Sequence, residues 1–358
     1  MQTVVFDSAR AETFSERLLD TLNRGALCLM ISVGHRTGLF DTFARLGWVT
    51  SGELAKAAGL DERYVREWLG AMTVGGVISA DDDNHFFLPP EHSAFLTRAA
   101  RADNMSVFAQ YIGQLGSVED DIVGCFRNGG GVPYERFTRF HEIMAEDSGQ
   151  SVLPALDTHI LELVPGLREK LEAGIRVLDA GCGRGLAIMR LAERFPNSEF
   201  HGVDLSTDAI AYARNQVMDR HLGNVILMTK DLSDFDASAE DEKYDLVFTF
   251  DAVHDQAKPL NLLTGIRRTL KRDGVYVMQD IHGHSHVQGN LDNPLAPLLY
   301  TVSCMHCMTV SLAQGGEGLG AMWGREKAQE MLREAGFAHI DIRRLDHDIQ
   351  NDWYVIRK

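Results

Sequence analysis

From Phe14, apolar side chains recur as Phe14, Leu18, Leu22, Ala26, Met30 and Val33, the spacing that lays one stripe along a helix. Gly34 supplies a stop. The next run, SGELAKAAGLDERYVREWLGAMTVGGVISADDDNHFFLPP, predicts two short helices and a hairpin. Thr50 or Ser51 caps the first helix and Asp61 the second. The hairpin runs from Val77 to Leu88 and turns at the Asp81 to Asn84 cluster, where short polar side chains tolerate tight backbone angles. Two helices followed by a hairpin is a winged-helix order. A further helical stretch from Glu91 to about Gly166 is interrupted by RNGGGVP and is expected to bridge two domains while roofing a pocket.

From Gly174 the pattern changes to apolar, β-rich runs separated by helical segments, the alternation of a parallel sheet with helices on both faces. Seven strands are expected at IRVLDA, EFHGVDL, VILMTK, YDLVFTF, GVYVMQD, HIDIRRL and DWYVIRK, the last pairing antiparallel with its neighbour. The fold class is therefore α/β: a Rossmann-like seven-stranded domain at 167–358 preceded by a mostly helical winged-helix domain at 1–166. A length of 358 residues accommodates both.

Charge narrows the choice of partner. A formal net charge of −16 repels phosphate backbones, and the Asp61 to Thr73 helix carries Asp61, Glu62 and Glu67 against only Arg63 and Arg66. Dimerisation, giving a homodimer through the N-terminal domain, is the expected role of the winged helix, with no nucleic acid and no membrane as partner. The chain has no basic start followed by an apolar core and no run of about 18 uninterrupted apolar residues, so a soluble, cytoplasmic protein is expected. Five cysteines in such a chain are expected to be reduced thiols.

The segment VLDAGCGRGLAIMRLAERF reads as strand, glycine turn and helix, with Asp179 before the turn and Gly181, Gly183 and Gly185 within it. Glycine there lets a ligand approach the backbone closely. Asp204, followed by Leu205, ends the next strand about twenty residues on, where a carboxylate can accept both hydroxyls of a ribose. The turn reads D-A-G-C-G-R-G and lacks the G-x-G-x-x-G register, which leaves no evident cradle for a pyrophosphate and favours an adenosyl methyl donor without phosphates. Asp231 and Leu232 end the third strand, placed for an adenine edge and ring face.

In that order, VLDAGCGRG, GVDLS, KDL and YDLVFTFDAVHD resemble the cofactor motifs of class I S-adenosylmethionine-dependent methyltransferases, over residues 170–358. The resemblance implies that Gly181, Cys182 and Gly183 contact the methionine part, Asp204 the ribose, Asp231 and Leu232 the adenine, and Phe250 the sulfonium side, with Asp179 and Leu205 completing the set. Cys182 reads as a small filler.

His254 lies just past the fourth strand, at the sheet edge where open α/β folds bind ligands. Its surroundings resemble those of the catalytic histidine in plant-type small-molecule O-methyltransferases, which also carry an N-terminal winged-helix dimerisation domain. That resemblance implies a general base, although Gln256 stands where tryptophan is usual. The alternative is a structural His254 bonded to Asp255 or a backbone carbonyl; carboxylates such as Asp280 are also candidates to orient a histidine base.

The whole chain is similar to bacterial and nematode winged-helix methyltransferases of mostly unassigned substrate, through N-x-x-x-P at Asn290 to Pro294 and Y-x-x-S-C-x-H-C-M at Tyr300 to Met308, followed by SLAQGGEGLGAMWG. An insertion at about 282–325 is expected to close over substrate on glycine hinges around Glu317, with Tyr300, His306, Met308, Glu317 and Trp323 lining the pocket. His282, His284 and His286 alternate, and Cys304, His306 and Cys307 supply soft donors. A second C-x-x-C is missing and the histidines sit in a glycine-rich loop, so no metal is expected.

The leading expectation is an S-adenosylmethionine-dependent methyltransferase acting on an oxygen or sulfur of a small-molecule acceptor. The competing readings are a winged-helix transcription regulator with a ligand-sensing second domain, and a dimeric scaffold whose cofactor site serves stability.

Overall fold

The computed structural model describes residues 6–358. The chain forms two compact units that divide at Gly113/Gln114, not at 166/167. The reason lies in the helices between those positions. Val152, Leu156, Ile160 and Leu161 share one core with Val177, Phe200 and Leu246 of the sheet, so this stretch belongs to the second unit.

In the first unit, α1 spans Ser8–Arg36 and is capped by the Asp7 carboxylate. It is followed by α2 (Leu39–Phe43), α3 (Ser51–Ala58) and α4 (Glu62–Val74). Thr50 and Glu53 form a reciprocal capping box on α3, and Asp61 caps α4. Gly34 lies against the ring of Trp68, where a Cβ would come within 2.7 Å, so the end of α1 rests directly on the indole. The wing is a minimal hairpin of β1 (Ser79–Ala80) and β2 (Phe86–Phe87), turning through Asn84 at φ 59°, with Val49 bridging to Phe86. Along α4 the arginines are spent locally: Arg63 pairs with Glu67 and Arg66 with Glu62.

The second unit is built on seven strands: β3 (Arg176–Ala180), β4 (Glu199–Asp204), β5 (Val225–Thr229), β6 (Tyr244–Phe250), β7 (Leu270–Ile281), β8 (His339–Arg343) and β9 (Asn351–Arg357). Their order is β5-β4-β3-β6-β7-β9-β8. The first five are parallel, and β9 is wedged antiparallel between β7 and β8. Alternate residues serve opposite faces: Val177, Phe248 and Val277 enter one core, and Leu178, Val247 and Met278 the other. Both faces are covered, which is why the strands read as nearly continuous apolar runs.

Between β7 and the helix Gly324–Glu334, residues 282–323 include a helical run, Ala296–Ala313, interrupted by a π-helical turn at Ser303–Cys307. By length and composition this run could cross a membrane, with mean hydropathy 1.3. In the fold its Leu299, His306, Cys307 and Val310 are buried, as expected of a helix packed into a domain.

Candidate active site

A cavity of about 610 Å³ opens at the carboxyl ends of β3, β4 and β6, where strand order reverses about β3. The turn after β3 forms its floor. Gly181 adopts φ 85°, and a Cβ there would lie 2.5 Å from that of Ala252, so only glycine fits. Four of the turn's amides are already spent. Gly181 and Cys182 N–H donate to the Val203 carbonyl, Gly185 N–H to the Cys182 carbonyl, and Gly183 N–H to Asp204 Oδ2 at 2.8 Å. A pyrophosphate needs several free N–H groups, and these four are not available to it.

Charge at the wall agrees with this. Glu135, Glu142, Asp204 and Asp208 outnumber Arg184 and Lys230 in the lining, and Asp179, Asp251 and Asp255 add buried carboxyls, so the cavity suits a cation better than a polyanion. Asp179 Oδ1 is buried without a hydrogen-bond partner. Burial, reinforced by the charge of Asp204, pushes the Asp179 carboxyl up to about 8. A buried acid of this kind is stabilised when a positively charged group arrives beside it. Burial likewise raises the Cys182 thiol well above its ordinary range, consistent with a filler and not a nucleophile.

Of the sequence-derived cofactor residues, Asp179, Gly181, Cys182, Gly183, Asp204, Leu205, Leu232 and Phe250 line this one cavity. Asp231 does not. It is exposed, and its carboxylate accepts the Ser233 N–H, while the neighbouring Lys230 takes the position at the wall.

His254 is buried beside the cavity. Its Nδ1–H donates to Asp280 Oδ1 at 2.7 Å, and Asp280 Oδ1 also accepts the indole N–H of Trp323 at 2.9 Å and the Ile281 N–H at 2.9 Å. The imidazole is thus fixed with Nε2 toward Asp255, 3.3 Å from its Oδ1. Asp255 and Gln256 line the cavity, whereas His254 does not itself reach the wall. Burial alone would lower the imidazole pKa, but the charges of Asp280 and Asp255 outweigh it and hold it well above the ordinary value.

The five residues expected to line the acceptor pocket are absent from the wall, where Gln314 is the segment's contribution. Trp323 serves Asp280, and the Tyr300 hydroxyl accepts a bond from Asn290. The Glu317 amide donates to the Ala257 carbonyl, and Met308 lies against Gly320. His306 is stacked on Phe140 and met edge-on by Tyr134 and Phe137, so it stands behind the wall those three rings form. Its two ring nitrogens lack hydrogen-bond partners, and burial drives its pKa well down. The unusual motif of the insertion points to a pocket there. The wall comes from 134–153, including Tyr134, Phe137, Phe140, His141 and Met144, which lie in the helical stretch expected to roof a pocket, although none of them stands out individually in the sequence.

Asp251 was also missed. It lines the cavity at φ 47°, strained for a non-glycine residue, with a buried, unpartnered Oδ1 and a carboxyl pushed well up by burial.

Among the described residues, neither the His282/His284/His286 cluster nor the Cys304/His306/Cys307 cluster brings its donor atoms together. His282 bonds Asp352, which Arg325 also clasps, and His284 bonds Glu326, while His286 is exposed. Among the described residues, the donor atoms that do converge are those of His254, Asp255 and Cys307.

Residues 171–336 match the family described as "Methyltransferase domain", and residues 25–98 match "Rv2258c-like winged HTH domain". The fold and the cavity thus define a winged-helix protein carrying a Rossmann-like methyltransferase domain. Aklanonic acid methyltransferase DauC of Streptomyces sp. (strain C5) is 35% identical over 96 residues, which are 25% of this chain and 44% of that protein. The chain therefore spans less than half the length of that relative. Among solved structures, the mitomycin 7-O-methyltransferase MmcR matches with a TM-score of 0.71 at 16% identity, covering 98% of this chain and 100% of that one. Human N-acetylserotonin methyltransferase, solved in complex with S-adenosylmethionine, matches with a TM-score of 0.66 at 18% identity, covering 100% and 99%. At these identities the likeness is one of fold, and it runs the length of the chain.

Proposed function

We propose that the protein transfers the methyl group of S-adenosylmethionine to an oxygen or sulfur of a small molecule. One observation carries this reading: a glycine turn with four of its amides spent and acids around it opens, in the same cavity, beside the Asp280–His254–Asp255 array. The residues present fit the methyl donor. Asp204 would hold the ribose, the Gly181–Gly183 turn and Asp179 the amino-acid end, and Leu205, Leu232 and Phe250 the apolar surfaces. When bound, the cofactor supplies an electrophilic methyl group on a cationic sulfur.

The chain's own share is positioning and proton transfer. In-line attack needs the acceptor atom held at the methyl group, which the aromatic wall of Tyr134, Phe137 and Phe140 does by packing. His254 Nε2, 3.3 Å behind Asp255 at the wall, accepts the proton of a hydroxyl or thiol through that carboxylate, and Asp280 engages Nδ1 and so sets the tautomer. A cation in the same cavity opposes imidazolium and so favours the neutral, proton-accepting form. The oxygen acceptor draws support from MmcR, whose name records O-methylation.

The partner surface is a second copy of the chain. Phe14, Leu18, Leu19 and Leu22 of α1 are 60, 49, 62 and 64% exposed, an apolar stripe that a homodimer would cover. Five unpaired cysteines fit a reducing compartment, hence the cytoplasm.

The test is a panel of phenols and thiols scored by S-adenosylhomocysteine release, with His254→Ala in parallel. Turnover of at least one acceptor that drops in the variant supports the reading; no turnover with any acceptor, despite cofactor binding, removes it.

A further inference from the structure

We propose that His254 Nε2, Asp255 and Cys307 Sγ form a binding site for a soft divalent cation such as zinc, open toward the cavity, and that cation binding and proton acceptance by His254 exclude each other.

The donor atoms come from two separate parts of the chain. His254 and Asp255 follow β6, and Cys307 closes the π-helical turn Ser303–Cys307, a local widening of the helix that recurs at functional sites. One ligand atom from each of the three residues lies within 4.8 Å of the other two. Tetrahedral zinc, with bonds of about 2.0 to 2.3 Å, separates its donors by about 3.3 to 3.8 Å. His254 Nε2 and Asp255 Oδ1 are already 3.3 Å apart. Nitrogen, carboxylate and thiol together make a donor set that zinc accepts and calcium or magnesium does not.

The surroundings match a metal site in two further respects. The other imidazole nitrogen is bound to Asp280, which is in turn held by the Trp323 and Ile281 N–H groups; a carboxylate behind a ligating histidine is the arrangement that fixes ring orientation at zinc centres. Asp255 Oδ1 is buried without a hydrogen bond, and Asp255 lines the cavity. Three protein donors, one of them, Asp255, at a cavity wall, match the layout of an open zinc site better than that of a closed structural one. Cys304, three residues away, is not part of the group.

Exclusion follows from the same geometry. Nδ1 is engaged by Asp280, so Nε2 is the one nitrogen that can either take a proton or bind a metal. The cation would therefore inhibit methyl transfer, reversibly with a chelator. This consequence rests on the methyltransferase reading; the binding site does not.

The probe is cobalt(II) added to the chelator-treated, full-length protein. The wild type is expected to show a near-ultraviolet thiolate-to-cobalt charge-transfer band that Cys307→Ser loses and Cys304→Ser keeps. Calorimetry with zinc is expected to show affinity lowered roughly tenfold or more in both Cys307→Ser and Asp255→Asn, with circular dichroism confirming that each variant is folded. Absence of the band in folded wild type, or its survival in Cys307→Ser, overturns the site. Bound zinc that leaves turnover unchanged or raises it overturns the exclusion. Cation binding without methylation of any acceptor in metal-free protein would sink the methyltransferase reading and leave the site standing.

Discussion

Asp280 Oδ1 lies 2.7 Å from Nδ1 of His254, with both side chains at most 3% exposed, and this buried pair decides which imidazole nitrogen faces Asp255. Asparagine at position 280 keeps the size but loses the charge and can offer an amide where the ring needs an acceptor. Asp280→Asn is expected to lower kcat by roughly 10²- to 10⁴-fold while leaving the KM for S-adenosylmethionine close to that of wild type. Steady-state kinetics check the split, and a loss confined to KM would contradict the positioning role.

The same pair sets a pH profile. The charges of Asp280 and Asp255 hold the His254 imidazolium well above the usual histidine range, and the base is the neutral ring. The rate should therefore rise with pH and level off above the ordinary histidine pKa, and His254→Gln should flatten the limb. A wild-type limb centred at or below 6.5, the ordinary value, would contradict this.

Asp179 makes stability depend on pH in the opposite sense to most carboxylates. Its folded-state pKa of about 8 lies above the ordinary 3.8, so the folded protein holds the proton more tightly than the unfolded chain. This contribution is fully present below 3.8 and is lost as pH rises through about 8. In thermal melts, the Tm of wild type relative to Asp179→Asn should fall steadily across that window in the absence of cofactor. Parallel curves would show that Asp179 is not held protonated.

Gly181→Ala puts a Cβ 2.5 Å from that of Ala252 at a backbone φ of 85°. A loss of roughly 1 to 3 kcal/mol in folding stability is expected, together with weaker cofactor binding, from denaturant melts and calorimetry. Full retention of both would mean that the turn relaxes freely.

The exposed face of α1 is the proposed dimer surface. Leu18→Glu with Leu22→Glu should convert a dimer to a monomer in sedimentation velocity without altering the circular dichroism. A wild-type monomer at high concentration would remove the proposal.

Much of the fold was legible because it rests on local signals. The caps at Thr50 and Asp61 and the apolar, β-rich strand runs fall where the sequence puts them. The glycine turn and Asp204 were equally legible, since residues about twenty apart are joined by a single strand–helix–strand crossover. What the chain order hides is assembly over long separations. Nothing near Phe140 signals that it stacks on His306, and the unusual run from Tyr300 to Met308 drew the predicted pocket to itself although Phe140 stands between. Cys307 meets His254 across more than fifty residues of chain, and only the folded insertion brings them together. The boundary at 113 was missed for a related reason: the apolar stripe of Val152 to Leu161 looks the same whether it faces a linker's own partners or the sheet.

Isothermal titration of the purified protein with S-adenosylmethionine, and separately with a nicotinamide dinucleotide, bears most directly on a cavity with acids at its wall and no phosphate grip. S-adenosylmethionine should bind the wild type, Asp204→Ala should bind it at least about tenfold more weakly, and the dinucleotide should give no heat. Uptake of the dinucleotide with indifference to S-adenosylmethionine would contradict the methyltransferase reading outright.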